Sequence, residues 1–409
     1  MSGVRLDEIA EAVDTPAFVY DAATIRRRYA SLDQSFGAIP HRICYAIKAN
    51  SNLAVLGLLA RLGAGADIVS GGEMLRALAA GFAPGDIVFS GVGKSDHELV
   101  AAMAAGVGHI NVESLAELRR IALLTDLHDS EVTVGIRVNP DVTAETHPYI
   151  ATGKGGLKFG VPRDQFMEAL HVIDDAPRIR LGAIAMHIGS QILKAAPYAA
   201  GLQRLLELLE QARAAGHTPG LLDVGGGLGI RYRDEVPLAP ADWIAPLLDM
   251  MRTSGCLIQV APGRYLVGGA GVMLTRVVYL KHSGGRNIAV VDAGMNDLVR
   301  PALYKAWHEI IAVRPSDVAP VQVDVVGPVC ETGDFLALER EMPPVAEGDL
   351  LAVLGAGAYG FAMSSNYNSR ARGAEVLVDN GRWAVVRNRE RLTDLFRDEV
   401  AEPFSAEKS

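Results

Sequence analysis

Eight short apolar runs rich in β-branched residues recur between residues 41 and 265, and helical segments separate them. These helical segments, such as 52–63 and 200–216, carry apolar residues at the i, i+3, i+4 and i+7 spacing, and several end at glycine. Strands that alternate with helices pair in parallel, and their near-continuous apolar character indicates burial on both faces. The runs are RICYAI (42–47), ADIVS (66–70), DIVFS (86–90), HINVES (109–114), EVTVGIRVN (131–139), LGAIAMHIG (181–189), LLDVG (221–225) and LIQVA (257–261).

Eight strand–helix units favour a TIM-type (β/α)₈ barrel over an open sheet. A doubly wound parallel sheet remains the alternative, because the sequence does not show whether the first and last strands pair with each other.

After residue 268 the pattern changes to apolar runs separated by turns, with little helix between most of them. The runs are VMLTRVVYL (272–280), NIAVVDAG (287–294), VQVDVVG (321–327), DLLAVLG (349–355), AEVLVD (374–379) and WAVVRN (383–388). This pattern predicts a mainly antiparallel β domain. The extended segment TPAFVYD (15–21) precedes the first barrel unit, and we expect it to join that sheet. We therefore predict an N-terminal segment 1–21 that belongs with the β domain, a barrel over 22–267 and a C-terminal β domain over 268–409.

Charge and cysteine content exclude several classes of protein. Asp and Glu number 48 against 39 Lys and Arg, a net charge of −9, which argues against a nucleic-acid-binding protein. The three cysteines are odd in number and widely spaced, so the sequence predicts no disulfide framework. No signal peptide and no membrane-spanning run of 18 apolar residues is present. We expect a cytoplasmic protein with no membrane partner and no metal site.

Chemically informative residues stand where the predicted barrel strands end, which is where such barrels carry their active sites. Lys48 ends the first run, His187 and Ser190 follow the sixth, GGGLG (225–229) follows the seventh, and Arg264 follows the eighth. A buried lysine with a lowered pKa suits Schiff-base chemistry, and a glycine turn lets backbone N–H groups approach a phosphate. Taken singly, a surface lysine, a core histidine and an ordinary glycine turn explain these residues equally well. Together they match the needs of pyridoxal 5'-phosphate.

The motifs of the whole chain resemble those of the fold-type III pyridoxal-phosphate decarboxylases, and most closely the diaminopimelate decarboxylases among them. The resemblance runs from about residue 15 to about residue 375, with the motifs in family order. It implies an alanine-racemase-like barrel followed by a β domain, bound pyridoxal 5'-phosphate, and decarboxylation of meso-2,6-diaminopimelate to L-lysine. It also implies a homodimer whose active sites lie at the subunit interface. The motifs are YAIKAN (45–50), SGGE (70–73), RVNP (137–140), HIGSQ (187–191), GGGLG, PGR (262–264), DAGMNDLVRPALY (292–304), CETGD (330–334) and GAYGFAMSSNYNSR (357–370).

The resemblance also implies roles for individual residues around the cofactor. Lys48 would form the Schiff base, His187 would stack on the pyridine ring, and Arg137 would lie near the phenolic oxygen. The phosphate would be held by Ser190, Gly227 and the backbone of Gly263 and Arg264, with Tyr359 closing over it.

For the substrate, the resemblance implies that Arg264, Arg300 and Tyr304 bind its distal carboxylate. Tyr359 would also contact the substrate. Glu331 would bind the distal ammonium group, and Cys330 would reach in from the neighbouring subunit to protonate the carbon that loses carbon dioxide. Surface charges are the less favoured alternative for Arg300 and Glu331. From the residues alone, Cys330 is more typical of a small buried hydrophobe.

One position departs from the family pattern. The family has Glu-Pro-Gly-Arg where this chain has Ala261-Pro262-Gly263-Arg264. The family glutamate faces the pyridine nitrogen and keeps it protonated, so the alanine predicts weakened catalysis with cofactor binding retained. Two alternatives stay open: a decarboxylase of another amino acid (ornithine, lysine or a carrier-bound substrate), and a catalytically silent homologue that binds the cofactor, which Ala261 favours.

Overall fold

The computed structural model describes residues 1–142 and 158–402, so residues 143–157 of the predicted barrel and 403–409 of the predicted β domain lie outside the described residues. After strand β1 (Ala17–Asp21), eight parallel strands form a closed barrel. The last of these strands pairs with the first, His41 opposite Ile258, and this closure decides against the doubly wound sheet. The predicted barrel is confirmed. Its strands are β2 (His41–Ala46), β3 (Gly65–Ile68), β4 (Ile87–Phe89), β5 (His109–Val112), β6 (Val132–Arg137), β7 (Ile179–Ala185), β8 (Leu221–Asp223) and β9 (Leu257–Val260).

Helices cover the outside of the barrel, and local sequence signals set their ends. Ser70, Ser95 and Ser114 each accept a hydrogen bond from the backbone N–H three residues later, which caps α4, α5 and α6. Gly81 and Gly106 end α4 and α5 in the left-handed conformation. The helices are α1 (Leu6–Val13), α2 (Ala22–Ser35), α3 (Leu53–Arg61), α4 (Gly71–Ala80), α5 (Asp96–Ala105), α6 (Leu115–Leu127), α7 (Phe166–Asp174), α8 (Ala196–Ala214), α9 (Pro240–Ile244), α10 (Leu248–Ser254), α11 (Arg264–Val267) and α12 (Arg300–Tyr304).

A second, nine-stranded sheet contains β1 and the strands that follow the barrel. Six of its eight strand pairs are antiparallel, which confirms the predicted mainly antiparallel character. Strand β1 lies between β10 and β16, antiparallel to the first and parallel to the second. The remaining strands are β10 (Gly271–Ser283), β11 (Arg286–Val291), β12 (Ile310–Ala312), β13 (Val321–Val326), β14 (Phe335–Met342), β15 (Leu350–Leu354), β16 (Ala374–Asp379) and β17 (Arg382–Arg387).

Strands β12 and β14 were not among the runs that the sequence pattern predicts. β12 is only three residues long, and the charged residues of β14 interrupt its apolar pattern. One of those charges, Arg340, is buried, because its guanidinium lies 3.4 Å from the centroid of the Trp307 ring and donates to the His308 carbonyl at 2.7 Å. A charged residue in a strand can thus face the interior when an aromatic ring and a carbonyl receive it.

The two parts of the chain meet at the carboxyl end of the barrel. The Tyr359 N–H donates to the Ala49 carbonyl at 2.8 Å, and the Asn50 side chain donates to the Gly357 carbonyl at 3.1 Å. These bonds hold the loop that follows β15 over the end of β2, so the site described next is built from both sheets. Among the described residues, no helix has the length and apolar sequence needed to cross a bilayer.

Candidate active site

A cavity of about 560 Å³ opens at the carboxyl ends of the barrel strands. Ten of the twelve site residues predicted from the sequence line this cavity. They include Lys48 and Tyr359, which are 311 positions apart in the chain. Cys330 and Glu331 are exposed and do not line it. The lining residues that the sequence predicted are Lys48, Arg137, His187, Ser190, Gly227, Gly263, Arg264, Arg300, Tyr304 and Tyr359.

Lys48 follows β2, and its Nζ lies 3.5 Å from Oδ2 of Asp67 on β3. Because 39% of the lysine side chain stays accessible in the open cavity, burial disfavours the ammonium only in part. The Asp67 carboxylate and Tyr359 outweigh it, so the pKa of Lys48 lies above its ordinary value. The prediction that burial lowers the pKa of Lys48 is therefore wrong, because the Asp67 carboxylate lies next to the ammonium group.

His187 presents a neutral imidazole to the cavity. Its Nδ1 accepts a hydrogen bond from the Gly226 N–H at 3.2 Å, so this nitrogen is unprotonated and the ring is not an imidazolium. Burial, together with the charges of Arg137 and Lys48, lowers the pKa of His187 well below its usual value. A flat, uncharged ring at this position suits stacking on an aromatic cofactor.

Bare backbone lines the part of the cavity between β7, β8 and β9. Gly227 has φ +99°, and a Cβ there would collide with the Gly189 carbonyl. A Cβ on Gly263 would lie 2.9 Å from the Ala49 Cβ. Only glycine fits at these positions, and the result is a cradle in which main-chain groups can approach an anion closely.

Arg137 is fixed on the opposite side of the cavity by a buried ion pair. Its Nη1 donates to Oε1 of Glu113 at 2.6 Å, and its guanidinium lies 5.2 Å from the centroid of the Phe159 ring. Glu113 also accepts from the Gly160 N–H at 2.9 Å. The Arg137 charge is therefore largely neutralised within the protein, and its orientation is set before any ligand binds.

Arg264 and Arg300 differ from Arg137, because both are buried and line the cavity without a carboxylate partner among residues 1–142 and 158–402. Arg264 donates to the Ser190 hydroxyl at 3.1 Å and to the Tyr232 hydroxyl at 2.6 Å. Arg300 donates to His308 at 2.7 Å. Burial and the nearby Arg264 charge lower the pKa of Arg300. Two buried guanidinium groups with only neutral partners form a site for an anion.

The floor of the cavity carries a chain of buried polar residues that sequence reasoning missed. Ser90 donates to Asp67 at 2.6 Å and receives a bond from Asn111 at 3.2 Å. Gln259 donates to Asp223 at 2.9 Å. Burial and the Asp67 charge raise the pKa of Asp223 to about 6. A carboxylate inside an apolar strand run, as in ADIVS and LLDVG, is the signal that could have found both acids.

Ala261 lies beside Asp223 at the end of β9. The Ala261 N–H donates to the Gly225 carbonyl at 2.9 Å, and the Gly225 N–H donates to Asp223 at 2.8 Å. Ala261 lines the cavity where the family pattern has a carboxylate, and Asp223 lines the same cavity.

Cys330 and Glu331 lie on an exposed loop of the β domain that is held in a defined shape. Asp334 accepts bonds from the Val329 and Met295 N–H groups, both at 2.6 Å. Asn368 accepts from the Cys330 N–H at 3.0 Å. Both side chains are thus exposed on this loop, and neither lines the cavity of its own chain.

Comparison with known proteins identifies the family of this chain. Residues 22–268 match the family model described as "Pyridoxal-dependent decarboxylase, pyridoxal binding domain". Diaminopimelate decarboxylase from Pseudomonas aeruginosa is 48% identical over 401 residues, which cover 98% of this chain and 96% of that protein. The chain belongs to the diaminopimelate decarboxylase family. The relative from Vibrio cholerae is 46% identical over 401 residues, with the same coverage of 98% and 96%.

Structures of this diaminopimelate decarboxylase family superpose closely on the chain. The enzyme from Helicobacter pylori, solved in complex with L-lysine, has a TM-score of 0.93 at 38% identity and covers 96% of this chain and 98% of its own. The chain is thus a pyridoxal-phosphate-dependent decarboxylase. Its cavity fits the cofactor, because it combines a lysine at a strand end, a neutral imidazole and a glycine cradle.

Proposed function

We propose that this protein decarboxylates meso-2,6-diaminopimelate to L-lysine and carbon dioxide. The observation that carries the proposal is the pair of buried arginines, Arg264 and Arg300, which have only neutral partners among the described residues. Burying such charges is costly unless a ligand supplies the counter-charge. Diaminopimelate has a second, distal carboxylate to supply it, whereas lysine and ornithine have none.

The residues that would hold pyridoxal 5'-phosphate are those that line the cavity around Lys48. Lys48 would bind the cofactor covalently, and the neutral His187 ring would stack on it. Ser190, Gly227, Gly263 and Arg264 would hold the phosphate, with Tyr359 over it, and Arg137 would lie near the phenolic oxygen. When bound, the cofactor supplies an electron-accepting ring that draws electrons from the bond to the leaving carboxylate.

The protein side chains orient the substrate and handle the proton. Arg264, Arg300, Tyr304 and Tyr359 would fix the distal carboxylate, and Glu331 would bind the distal ammonium group. This leaves the other amino-acid end at Lys48, so only one of the two carboxylates reacts. The Cys330 thiol would then deliver a proton from Sγ to the carbon that has lost carbon dioxide.

We further propose that the active unit is a homodimer. Cys330 and Glu331 do not line the cavity of their own chain, and a second copy that brought its loop to this cavity would let them serve it. The support is their exposure on a loop anchored by Asp334 and Asn368. The three free cysteines support a reducing cytoplasm as its location, and we propose segments 1–21, 22–267 and 268–409 as its structural divisions.

The test is product analysis with the cofactor-loaded enzyme. Incubation with meso-diaminopimelate should release carbon dioxide and form L-lysine in equal amounts, and a Lys48→Ala control should release none. Carbon dioxide release from L-ornithine or L-lysine, without release from diaminopimelate, would show that the substrate assignment is wrong.

A further inference from the structure

The arginine pair is held by two residues that do not line the cavity, His308 and Tyr232. His308, which precedes β12, is fully buried. Its Nδ1 lies 2.8 Å from the Leu354 carbonyl oxygen, and its Nε2 lies 2.7 Å from Nη1 of Arg300. A carbonyl can only accept, so Nδ1 carries the hydrogen and Nε2 accepts from the guanidinium. The two partners thus fix both the tautomer and the ring orientation.

The surroundings of His308 keep its ring neutral. The Arg300 guanidinium faces one ring nitrogen, and Arg340 donates to the His308 carbonyl at 2.7 Å. Burial comes first and the Arg300 charge second in lowering the pKa of His308 to about 3. A neutral acceptor orients Arg300 without neutralising its charge. A carboxylate in the same place would form an ion pair with the guanidinium and weaken its attraction for the substrate carboxylate.

Tyr232 ties the two arginines together. Its hydroxyl accepts from Arg264 at 2.6 Å, and the centroid of its ring lies 4.6 Å from the Arg300 Cζ. The same ring meets the His308 ring edge-on, with the centroids 5.3 Å apart and the planes at 74°. Tyr232 therefore touches both guanidinium groups and the imidazole, so it sets their spacing, and it does so through a phenol ring and hydroxyl rather than a carboxylate.

We propose that His308 and Tyr232 are positioning residues that hold Arg300 and Arg264 at a fixed spacing without neutralising their charges. The two arginines then form a receptor for the α-carboxylate at the distal end of the substrate. The inference rests on the proposed function, since it assigns a purpose to the arginine pair. It makes substrate selection depend on residues that never touch the substrate.

A matched pair of variants tests the role of charge at position 308. Glutamine in His308→Gln can accept from Arg300 and donate to the Leu354 carbonyl, whereas His308→Glu has nearly the same shape but adds a negative charge. In the cofactor-loaded enzyme, we expect His308→Gln to stay within about threefold of the wild-type dissociation constant for L-lysine, whose α-carboxylate the receptor would hold, and His308→Glu to weaken it at least about tenfold. Calorimetry measures this binding without catalysis. Cadaverine, the diamine without any carboxylate, should bind all three proteins alike.

Kinetic measurements and two further variants separate positioning from a general structural effect. Tyr232→Phe, which keeps the ring but removes the acceptor for Arg264, should raise the KM for diaminopimelate about three- to tenfold with a smaller change in kcat. His282→Ala, at an exposed histidine of β10, should change neither. Equal lysine affinity in His308→Gln and His308→Glu, or a parallel loss of lysine and cadaverine binding, would overturn the inference.

Arg300→Gln separates the carboxylate-binding role of Arg300 from the positioning role of His308. If this variant turns over diaminopimelate normally, Arg300 is not part of a receptor for the distal carboxylate and the inference fails, whereas a wild-type enzyme that releases no carbon dioxide from diaminopimelate refutes the proposed function itself. If it loses that turnover while the position-308 pair behaves alike, only the positioning role of His308 fails.

Discussion

Replacing Ala261 with glutamate should restore a group that the chemistry of the family uses. Decarboxylation spreads negative charge into the pyridine ring, and a carboxylate beside the ring nitrogen favours the protonated, electron-accepting form. Ala261 is buried and lines the cavity, so a partner at this position would act where water screens charges little. Restoring one such preorganised partner is worth about 3–4 kcal/mol in the transition state.

The structure reduces the expected gain. Asp223 contacts the same residue as Ala261, namely Gly225, so a new glutamate would ionise against a second carboxylate. For an assumed separation of about 8 Å and an effective dielectric constant near 20, this repulsion costs about 2 kcal/mol. The net gain is about 1–2 kcal/mol, or a rise in kcat of about five- to thirtyfold.

Initial rates of carbon dioxide release at saturating diaminopimelate measure this effect, with cofactor content determined for each preparation. Ala261→Gln is the control, because it fills the same space without a charge and should gain less than Ala261→Glu. KM should change little, since the substituted side chain faces the cofactor. An unchanged or lower kcat in a fully loaded Ala261→Glu enzyme would refute the reasoning and would mean that another group, with Asp223 the first candidate, already serves the nitrogen.

Three further predictions follow from the site. Lys48→Ala should lose the cofactor that borohydride otherwise fixes to the chain, whereas Lys281→Ala at an exposed position should keep it; cofactor found by peptide mapping on another lysine would show that Lys48 is not the attachment site. Mixing Lys48→Ala with Cys330→Ala chains should restore about a quarter of wild-type activity, because half of the dimers are hybrids with one intact site; verified hybrids without activity would place Cys330 in the site of its own chain. His308 stays neutral in the folded state down to about pH 3. Below about pH 6.5 the unfolded chain therefore binds a proton at this histidine that the native chain does not, so the free energy of unfolding falls as the pH drops. The advantage of the wild type over His308→Gln in the free energy of unfolding should therefore shrink by about 2 kcal/mol between pH 7 and pH 5; a difference independent of pH would contradict the neutral histidine.

The barrel could be predicted from the sequence because its evidence is local and periodic. Each buried parallel strand appears as a continuous apolar run, and the residues after it belong to the active face by the geometry of the fold. For this reason the sequence alone predicts that Lys48, His187 and Arg264 lie around one cavity. Strand β14 escaped prediction because its charges are accommodated by partners, such as Trp307, that only the folded chain brings near.

The electrostatics of the site depend on pairings between strands, which a single run of sequence does not show. Asp67 stands opposite Ala46 in the β2–β3 register, and this places its carboxylate near Lys48 and reverses the predicted direction of the lysine pKa. The contact between Arg300 and His308 likewise depends on the turn that follows α12 and on the carbonyl of Leu354, 46 residues beyond the histidine. Such contacts decide which charges are free to bind a ligand.

The claim at the centre of this account is that Arg264 and Arg300 select a substrate with a distal carboxylate. The most direct measurement is the ratio of kcat/KM for meso-diaminopimelate to that for L-lysine, because the two molecules differ by that one carboxylate. We expect this kcat/KM ratio to be at least about 10³ in the wild-type enzyme and to fall at least about tenfold in Arg300→Gln. A ratio near one in the wild-type enzyme, or a ratio unaltered by Arg300→Gln, would contradict it.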